Sequence, residues 1–317
     1  METKQLPTLD YPFENRGLHP LVHETEEMSE MWIQNVYKAK QNDTLERSQA
    51  SVTLCGHFAA RMYPTAKRDN LITIARFLLW GLINDDYLDE LSEEVHKETQ
   101  EKYDRILFEG YNPHADDLPI FIEMAAIRDD MNKLMPKEWM KHFAESVHLY
   151  LEGMTEELYY KRPMIWPTVG EYTRVRQKSV CVYPLFALLE LSEGLILPDH
   201  IYYSPPFKRM ADLFCNILAW TNDYFSVKRE QGIDVMNLIL INQYWNKTDL
   251  HTAYEMSVAI HDNDVSEILT ICNSLPNFGE HQEAVDHFIE NMKLCIHGQR
   301  DWYIFDTCRY PLVIDRN

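Results

Sequence analysis

The stretch Arg76–Glu90, RFLLWGLINDDYLDE, passes from an apolar run into four acidic residues with neither glycine nor proline at the transition. Asp85 and Asp89 are four residues apart, and residues at that spacing lie on one face of an α-helix. Counting back along the same face gives Gly81 and Phe77. The stretch therefore predicts a long helix with one face that begins apolar and ends in carboxylates.

A second segment, 205–230, has the same polarity along its length. Its two leading prolines suit a helix start, and Asn222, Ser226 and Glu230 then follow one another at intervals of four. Counting back from Asn222 on that face gives the apolar Leu218. If these two helix faces lie opposite each other, they enclose an apolar cavity with oxygen ligands at its mouth.

Carboxylate, amide and hydroxyl oxygens without clustered Cys or His favour Mg²⁺ or Mn²⁺ over zinc. Mg²⁺ usually completes its coordination with water and phosphate oxygens. This chemistry predicts a site for a molecule with a diphosphate head and a hydrocarbon tail. The alternative for each motif alone is an ordinary charged helix end, which is common in acidic chains.

Apolar residues recur at helical spacing through most of the chain, and alternating strand patterns are almost absent. The prediction is an all-α fold in one domain, 1–317, with an extended segment at 1–20. The 317 residues are 45% hydrophobic, and no low-complexity linker divides them. Further helices are predicted near 20–41, 48–61, 66–100, 119–132, 136–161, 169–196, 234–245, 249–274 and 279–305.

The net charge of −20 argues against binding to nucleic acid or to anionic lipid. The first twenty residues lack the basic-then-apolar order of a signal peptide, and no apolar run is long enough to span a bilayer. The six cysteines include no CxxC pair. We therefore expect a soluble, cytoplasmic protein with reduced thiols.

The motifs DDYLDE and NDYFSVKRE resemble the DDxxD and N-D-x-x-S-x-x-x-E motifs of class I terpene synthases of the compact, single-domain microbial type. The segment EYTRVRQKSV is similar to the one that bears the diphosphate-sensing arginine of that family, here Arg176, 46 residues before Asn222. HGQRDWYIFDTCRYPL resembles the terminal helix with its Arg-Tyr pair, Arg309 and Tyr310. The resemblance implies an antiparallel helical bundle with a central cavity, as a monomer or homodimer.

The resemblance also implies a reaction and a role for each matching residue. The enzyme would ionise farnesyl or geranylgeranyl diphosphate and cyclise the carbocation, with three Mg²⁺ ions that Mn²⁺ can replace. Asp86 would pair with an arginine when the site closes. The metal ligands would be Asp85, Asp89, Asn222, Ser226 and Glu230, and the diphosphate donors Arg176, Arg229, Arg309 and Tyr310.

One departure from the family concerns the backbone after the sensor arginine. Where the family often has a glycine, whose helix break presents a carbonyl to the substrate, this chain has Val180. Pro184 has no N–H, so the carbonyl four residues earlier lacks its helical partner. Val180 is therefore predicted to supply the carbonyl through a break made by proline; a simple packing kink is the alternative.

A carbocation needs an apolar wall with aromatic faces that stabilise it and exclude water. The candidates by position are Phe58, Phe77, Trp80, Tyr183 and Trp302. The alternative for each is ordinary core packing.

Three other functions compete with cyclisation. A chain-elongating prenyl diphosphate synthase shares the fold and metal chemistry but carries two aspartate-rich motifs. A di-iron bundle is suggested by two Glu-x-x-His pairs, Glu93 with His96 and Glu145 with His148. A helical interaction protein would leave the oxygen-lined mouth unexplained.

Overall fold

The structure is a computed structural model, and it describes residues 6–38, 40, 42–89 and 91–310. Within these ranges every regular element is helical, which confirms the all-α prediction. The α-helices are α1 (Val22–Trp32), α2 (Asn42–Ser48), α3 (Ala50–Thr53), α4 (Cys55–Met62), α5 (Arg68–Leu88), α6 (Glu93–Phe108), α7 (Pro119–Leu134), α8 (Met140–Lys161), α9 (Val169–Ser179), α10 (Val182–Glu193), α11 (Asp199–Tyr202), α12 (Pro205–Glu230), α13 (Leu238–Asn246), α14 (Leu250–Ser274) and α15 (Gln282–Phe305).

The continuous helix predicted over 66–100 is divided directly after the aspartate motif. Helix α5 ends at Leu88, and α6 begins at Glu93. Ser92 caps α6, because its hydroxyl oxygen accepts a hydrogen bond from the Val95 N–H. The motif therefore ends at a helix terminus.

The helix predicted over 169–196 is divided as well. Thr168 and Glu171 form a reciprocal capping box that starts α9, and α9 ends at Ser179. Cys181 then adopts a left-handed conformation, with φ 60° and ψ 27°, before α10 begins. A non-glycine residue in this region breaks the helix at a conformational cost.

The remaining predicted helices also differ in detail at their ends. The 20–41 segment finishes in a π-helical turn at Ile33–Tyr37, and the 136–161 segment starts with a 3₁₀ turn at Lys137–Trp139. The 48–61 segment forms α3 and α4, which meet at a left-handed Leu54. Residues 6–18 form no helix and pack on α15, where Asn15 Nδ2 donates to Asp301 Oδ2 at 2.7 Å.

Three central helices position the residues discussed below. Helix α5 packs on α4, α7 and α10, while α12 packs on α9, α10, α14 and α15. Helix α8 lies directly against α9 because Gly153 has no side chain: a Cβ there would meet the Ser179 backbone nitrogen at 2.5 Å. Across the described residues, no helix is both long and apolar enough to cross a membrane.

Candidate active site

A cavity of about 530 Å³ opens between α5, α12 and the helices around them. Its wall includes apolar side chains, and acidic and basic groups also border it. Of the sixteen residues predicted for the site, all but Ser226, Trp80 and Tyr183 line this one cavity. The predicted residues that line it are Asp85, Asp86, Asp89, Asn222, Glu230, Arg176, Arg229, Arg309, Tyr310, Val180, Phe58, Phe77 and Trp302.

Helix α5 presents Asp85 to the cavity. The side chain is accessible from the cavity although it lies deep among protein atoms. Burial, together with the neighbouring Asp86 and Asp89 carboxylates, raises the pKa of Asp85 to about 7. No salt bridge to Asp85 is observed within the described residues. The position is therefore one where a bound cation would relieve uncompensated negative charge.

Asp86 lies one position further and pairs with two arginines that also line the cavity. Arg309 Nη2 is 2.9 Å from Asp86 Oδ2, and Arg229 Nη2 is 3.4 Å from Asp86 Oδ1. Tyr310 is close to both, since each guanidinium carbon lies within 5.9 Å of its ring centroid. Three of the four predicted donors, Arg229, Arg309 and Tyr310, are thus gathered at one edge of the mouth.

Helix α12 presents Asn222 and Glu230 from the opposite side. Asn222 Oδ1 accepts from Arg176 Nη2 at 2.8 Å, and its Nδ2 donates to the Tyr303 hydroxyl at 2.7 Å. Burial, with the neighbouring Asp223 carboxylate, raises the pKa of Glu230 to about 7. Both motifs therefore place acidic or amide oxygens on the same cavity.

Ser226, which is predicted to be a metal ligand, is not among the residues that line the cavity. Its hydroxyl is fully buried, donates to the Asp223 carbonyl at 3.4 Å and accepts from Asn237 Nδ2 at 3.3 Å. The helical spacing places its Cβ correctly between Asn222 and Glu230, but its short side chain is covered by Asn237.

Trp80 and Tyr183 do not form the cavity wall either. The Trp80 indole is fully buried, and its N–H lies within hydrogen-bonding distance of the Tyr103 hydroxyl and the Ile120 carbonyl, at 3.2 and 3.1 Å. A buried indole N–H needs such an acceptor, which turns Trp80 toward α6 and α7. Tyr183 is drawn toward α12, because its hydroxyl donates to Asp212 Oδ1 at 2.7 Å.

Three of the predicted aromatic residues do face the cavity. Phe58 and Trp302 are stacked with ring centroids 4.1 Å apart. The Trp302 N–H donates to the Thr53 carbonyl at 3.1 Å, which fixes the plane of its ring. Phe77 also lines the cavity, and its ring centroid lies 5.3 Å from that of Trp80, on which it stacks.

Arg176, in the last turn of α9, contacts residues of α12 and of α8. Its Nη2 donates to Asn222 and, at 3.3 Å, to Asp223 Oδ1, while Nη1 lies 3.6 Å from Glu157 Oε1. Its Nε is buried and has no acceptor among the described residues. A buried donor without an acceptor suits an anion that enters the cavity.

The break between α9 and α10 also borders the cavity. Val180 and Cys181 both line it. No hydrogen bond to the Val180 carbonyl oxygen is observed in the described part of the chain. The break falls where the sequence predicts it, and the left-handed residue is Cys181.

Some residues that contact the site are not among those predicted from the sequence. Asn237 Nδ2 donates to Glu230 Oε2 at 2.8 Å, and Lys161 Nζ lies 2.6 Å from Asp89 Oδ1. Asn237 carries a recognisable sequence signal, because an Asn before the apolar run LILI is a typical helix N-cap. Lys161 carries none for its contacts with Asp89 and Asp234, since those carboxylates lie outside its own helix.

The donor set fits Mg²⁺ better than a metal held by a complete protein shell. Across the described residues there is no group of three or more His, Cys, Asp or Glu side chains that could hold a metal ion. Instead, two small sets of oxygens face each other across a cavity, which leaves positions for water and phosphate oxygens. The Asp85 carboxylate lies near the carboxylates of Asp86 and Asp89, so a bound Mg²⁺ ion would stabilise its charged form most directly.

The di-iron alternative is wrong, because its four residues are engaged separately. Glu93 pairs with Lys97, and His96 Nε2 contacts the Leu88 carbonyl at 2.8 Å. The second pair is also split: His148 Nδ1 contacts Asp104 Oδ1 at 2.9 Å, and Glu145 accepts from the Tyr203 hydroxyl at 2.8 Å.

Solved structures share this architecture. The SVS_A2 protein from ancestral sequence reconstruction superimposes with a TM-score of 0.83 at 19% identity, covering 95% of this chain and 90% of that one. Linalool/nerolidol synthase from Streptomyces clavuligerus gives a TM-score of 0.81 at 19% identity, covering 93% and 100%. The chain has the class I terpenoid synthase fold.

Sequence comparison defines the family. Residues 76–267 match the family described as terpene synthase family 2, C-terminal metal binding. Germacrene A synthase of Nostoc punctiforme is 30% identical over 259 residues, which cover 80% of this chain and 79% of the relative. The (+)-T-muurolol synthase of Roseiflexus castenholzii, named as cyclising (2E,6E)-farnesyl diphosphate, is 28% identical and covers 81% and 80%. The chain belongs to the terpene synthase family and is a lyase of the terpene cyclase class.

Proposed function

We propose that the protein cyclises farnesyl diphosphate to a sesquiterpene in a Mg²⁺-dependent reaction. The observation that carries the proposal is that Asp85 of α5 and Glu230 of α12 line one cavity together with Arg176 and three aromatic side chains. The substrate is inferred from relatives named as sesquiterpene synthases, one of which is named as cyclising farnesyl diphosphate.

Asp85 would hold ions on one side of the mouth, and Asn222, Ser226 and Glu230 on the other. The family motif also implies Asp89 as a ligand, but its carboxylate contacts Lys161 in this structure. The family pattern suggests three Mg²⁺ ions, which Mn²⁺ could replace. Bound metal would supply electrostatic stabilisation of the departing diphosphate. Ser226 would need a small rearrangement to reach an ion, because Asn237 covers it in this structure.

Arg176, Arg229, Arg309 and Tyr310 would donate to the diphosphate oxygens. The Arg176 Nε has no acceptor among the described residues, so it would donate to a diphosphate oxygen without losing an existing partner. Arg229 and Arg309 would exchange part of their contact with the Asp86 carboxylate for the diphosphate, so that Asp86 would keep both arginines at α5.

Ionisation breaks the bond between C1 and the diphosphate oxygen, and the electron pair leaves with the diphosphate. A distal alkene of the substrate's prenyl chain then attacks the allylic cation, and loss of a proton or capture of water ends the reaction. Phe58, Phe77 and Trp302 would stabilise the cation by their ring faces and exclude water from it. The Val180 carbonyl would point its negative partial charge at the developing cation.

Two further features of the protein are proposed on the sequence alone. The chain would act as a single domain in the cytoplasm, as a monomer or homodimer. Geranylgeranyl diphosphate, leading to a diterpene, is the second candidate substrate.

Incubation with geranyl, farnesyl and geranylgeranyl diphosphates, each with Mg²⁺ or with EDTA, tests the proposal. Gas chromatography should show a fifteen-carbon product from farnesyl diphosphate, with stoichiometric diphosphate release only when metal is present. Absence of product from all three would contradict the proposal. Formation of longer prenyl diphosphates on addition of isopentenyl diphosphate would instead indicate chain elongation.

A further inference from the structure

Lys161, the last residue of α8, extends into the mouth of the cavity and contacts carboxylates from three elements. Its Nζ lies 2.6 Å from Asp89 Oδ1, 3.3 Å from Glu157 Oε2 and 3.3 Å from Asp234 Oδ2. Asp89 follows α5, Glu157 lies one turn back on α8, and Asp234 follows α12. One ammonium group therefore links the ends of three helices around the mouth.

Asp85 and Asp89 differ in their surroundings although they share a motif. Asp89 lies beyond the last residue of α5 and its Oδ1 is occupied by Lys161. Asp85 lies within α5 and forms no salt bridge among the described residues. A carboxylate already held by an ammonium group is a poorer metal ligand than one that is not, because the two cations compete for the same oxygen.

Glu157 connects Lys161 to Arg176, the proposed diphosphate sensor. Only 2% of its side chain is exposed, and it accepts a hydrogen bond from the Ser179 hydroxyl. Its Oε1 lies 3.6 Å from Arg176 Nη1 while its Oε2 faces Lys161. Removal of the Lys161 ammonium group would leave the buried Glu157 carboxylate with less compensating positive charge, which costs free energy.

We propose that Lys161 is a positioning residue for the cyclisation. Its ammonium group holds Asp89 and the turn that carries Asp234 against α8, and Asp89 acts through Lys161 rather than as a direct metal ligand. This inference rests on the proposed function, since it assigns a role within the same site.

The test combines Lys161→Met, Asp89→Asn and the double variant, with Lys178→Met as the matched control. Lys178 is similarly exposed, at 23% against 21%, and its Nζ also contacts two carboxylates, Glu156 at 2.7 Å and Glu152 at 3.4 Å. It does not line the cavity. Two quantities are measured: kcat and KM with farnesyl diphosphate, and the rise in Tm caused by Mg²⁺ plus inorganic diphosphate, which needs no turnover.

We expect Lys161→Met and Asp89→Asn each to lower kcat/KM about tenfold and to reduce the rise in Tm, while the double variant is no worse than the more damaging single one. Lys161→Arg should recover most of both quantities because it keeps the charge. Lys178→Met should match the wild type. Circular dichroism identifies a variant that fails to fold, in which case Lys161→Gln replaces Lys161→Met.

Three results would overturn the inference. Additive losses in the double variant would show that Asp89 acts independently of Lys161, as a metal ligand. The second result concerns diphosphate added without Mg²⁺. If diphosphate alone raises the Tm of the wild type, and Lys161→Met abolishes that rise both alone and together with Asp89→Asn, Lys161 is instead a direct diphosphate donor. Identical behaviour of Lys161→Met and Lys178→Met would leave Lys161 with no special role. A wild type that turns over no farnesyl diphosphate contradicts the proposed function instead, and the Tm measurement still reports the coupling.

Discussion

Asn237 donates a hydrogen bond from Nδ2 to Glu230 Oε2 at 2.8 Å, and the same side chain starts α13. Its Oδ1 accepts from the backbone N–H groups of Ile239 and Leu240, and its Nδ2 also lies 3.3 Å from Ser226 Oγ. One fully buried amide thus caps a helix and contacts Ser226 and Glu230, two of the proposed metal ligands. Changing a partner that orients a metal ligand typically lowers metal affinity or activity by about 10- to 100-fold.

Asn237→Ser should weaken the response to Mg²⁺ while preserving the start of α13. Serine is as good an N-cap as asparagine but is too short to reach Glu230. We expect the half-saturating Mg²⁺ concentration for turnover to rise about 10- to 100-fold. The measurement is the Mg²⁺ dependence of product formation at saturating farnesyl diphosphate.

Asn242→Ser is the matched control for that change. Asn242 is also buried on α13, and its Nδ2 donates to Ser257 Oγ at 2.9 Å, away from the cavity. It should lower stability without altering the Mg²⁺ dependence. A shift of equal size in both variants would mean that Asn237 acts only through the stability of α13.

Asp85→Asn and Glu230→Gln should each remove most of the turnover, because they delete ligand charge and preserve shape. A loss of about a hundredfold or more in kcat is expected for each. The helical circular-dichroism spectrum should stay unchanged, while the rise in Tm with Mg²⁺ and diphosphate should disappear. A wild-type rate at limiting Mg²⁺ would remove that residue from the metal site.

Arg176→Lys should reduce activity far beyond a conservative change. Lysine keeps the charge but cannot reach Asn222 and an incoming phosphate with separate N–H groups, as the guanidinium does through Nη2 and Nε. Loss of one hydrogen bond to a charged group costs about 1.5–3 kcal/mol, which is roughly 10- to 100-fold in kcat/KM. Steady-state kinetics with farnesyl diphosphate measure it.

Arg174→Lys is the control for that substitution. Arg174 lies two residues earlier on α9, is largely exposed, and its Nη1 is 3.7 Å from Glu156 Oε2. Its kinetics should equal those of the wild type. If Arg176→Lys leaves the kinetics unchanged and Arg174→Lys lowers activity, Arg174 rather than Arg176 donates to the diphosphate.

Local sequence patterns could predict most of the fold and much of the site. The four-residue spacing placed Asp85 and Asn222 on helices that face one cavity, because helical periodicity fixes the direction of each Cβ. The same spacing could not show that the short Ser226 side chain is covered by Asn237, since that contact joins two elements. Periodicity gives the direction of a side chain but not its reach.

Packing preferences explain the other failures. Trp80 is a candidate for the wall by its sequence position, but its indole N–H lies within hydrogen-bonding distance of the Tyr103 hydroxyl and the Ile120 carbonyl. Lys161 was missed because a lysine at the end of a helix gives no sign of which carboxylates from other helices will surround it. Such contacts between distant parts of a chain have no local signal.

The break between α9 and α10 provides the last prediction, which separates the effects of Pro184 and Cys181. Pro184 supplies no N–H for the Val180 carbonyl, and Cys181 turns the backbone through a left-handed conformation. Pro184→Ala restores the N–H and allows the helix to extend back over that carbonyl. We expect diphosphate still to bind, as judged by the rise in Tm, while ionisation slows or the product mixture shifts.

Cys181→Gly is the companion variant, because glycine adopts the left-handed conformation without the cost of a Cβ, about 1–2 kcal/mol. It should retain the break and therefore the rate of ionisation, although the loss of a cavity-lining thiol allows a small change in products. Gas chromatography of the products and single-turnover diphosphate release measure both variants. If Pro184→Ala keeps the wild-type rate and product profile, the proline is a packing kink, and the carbonyl that assists ionisation must be sought elsewhere on the cavity wall.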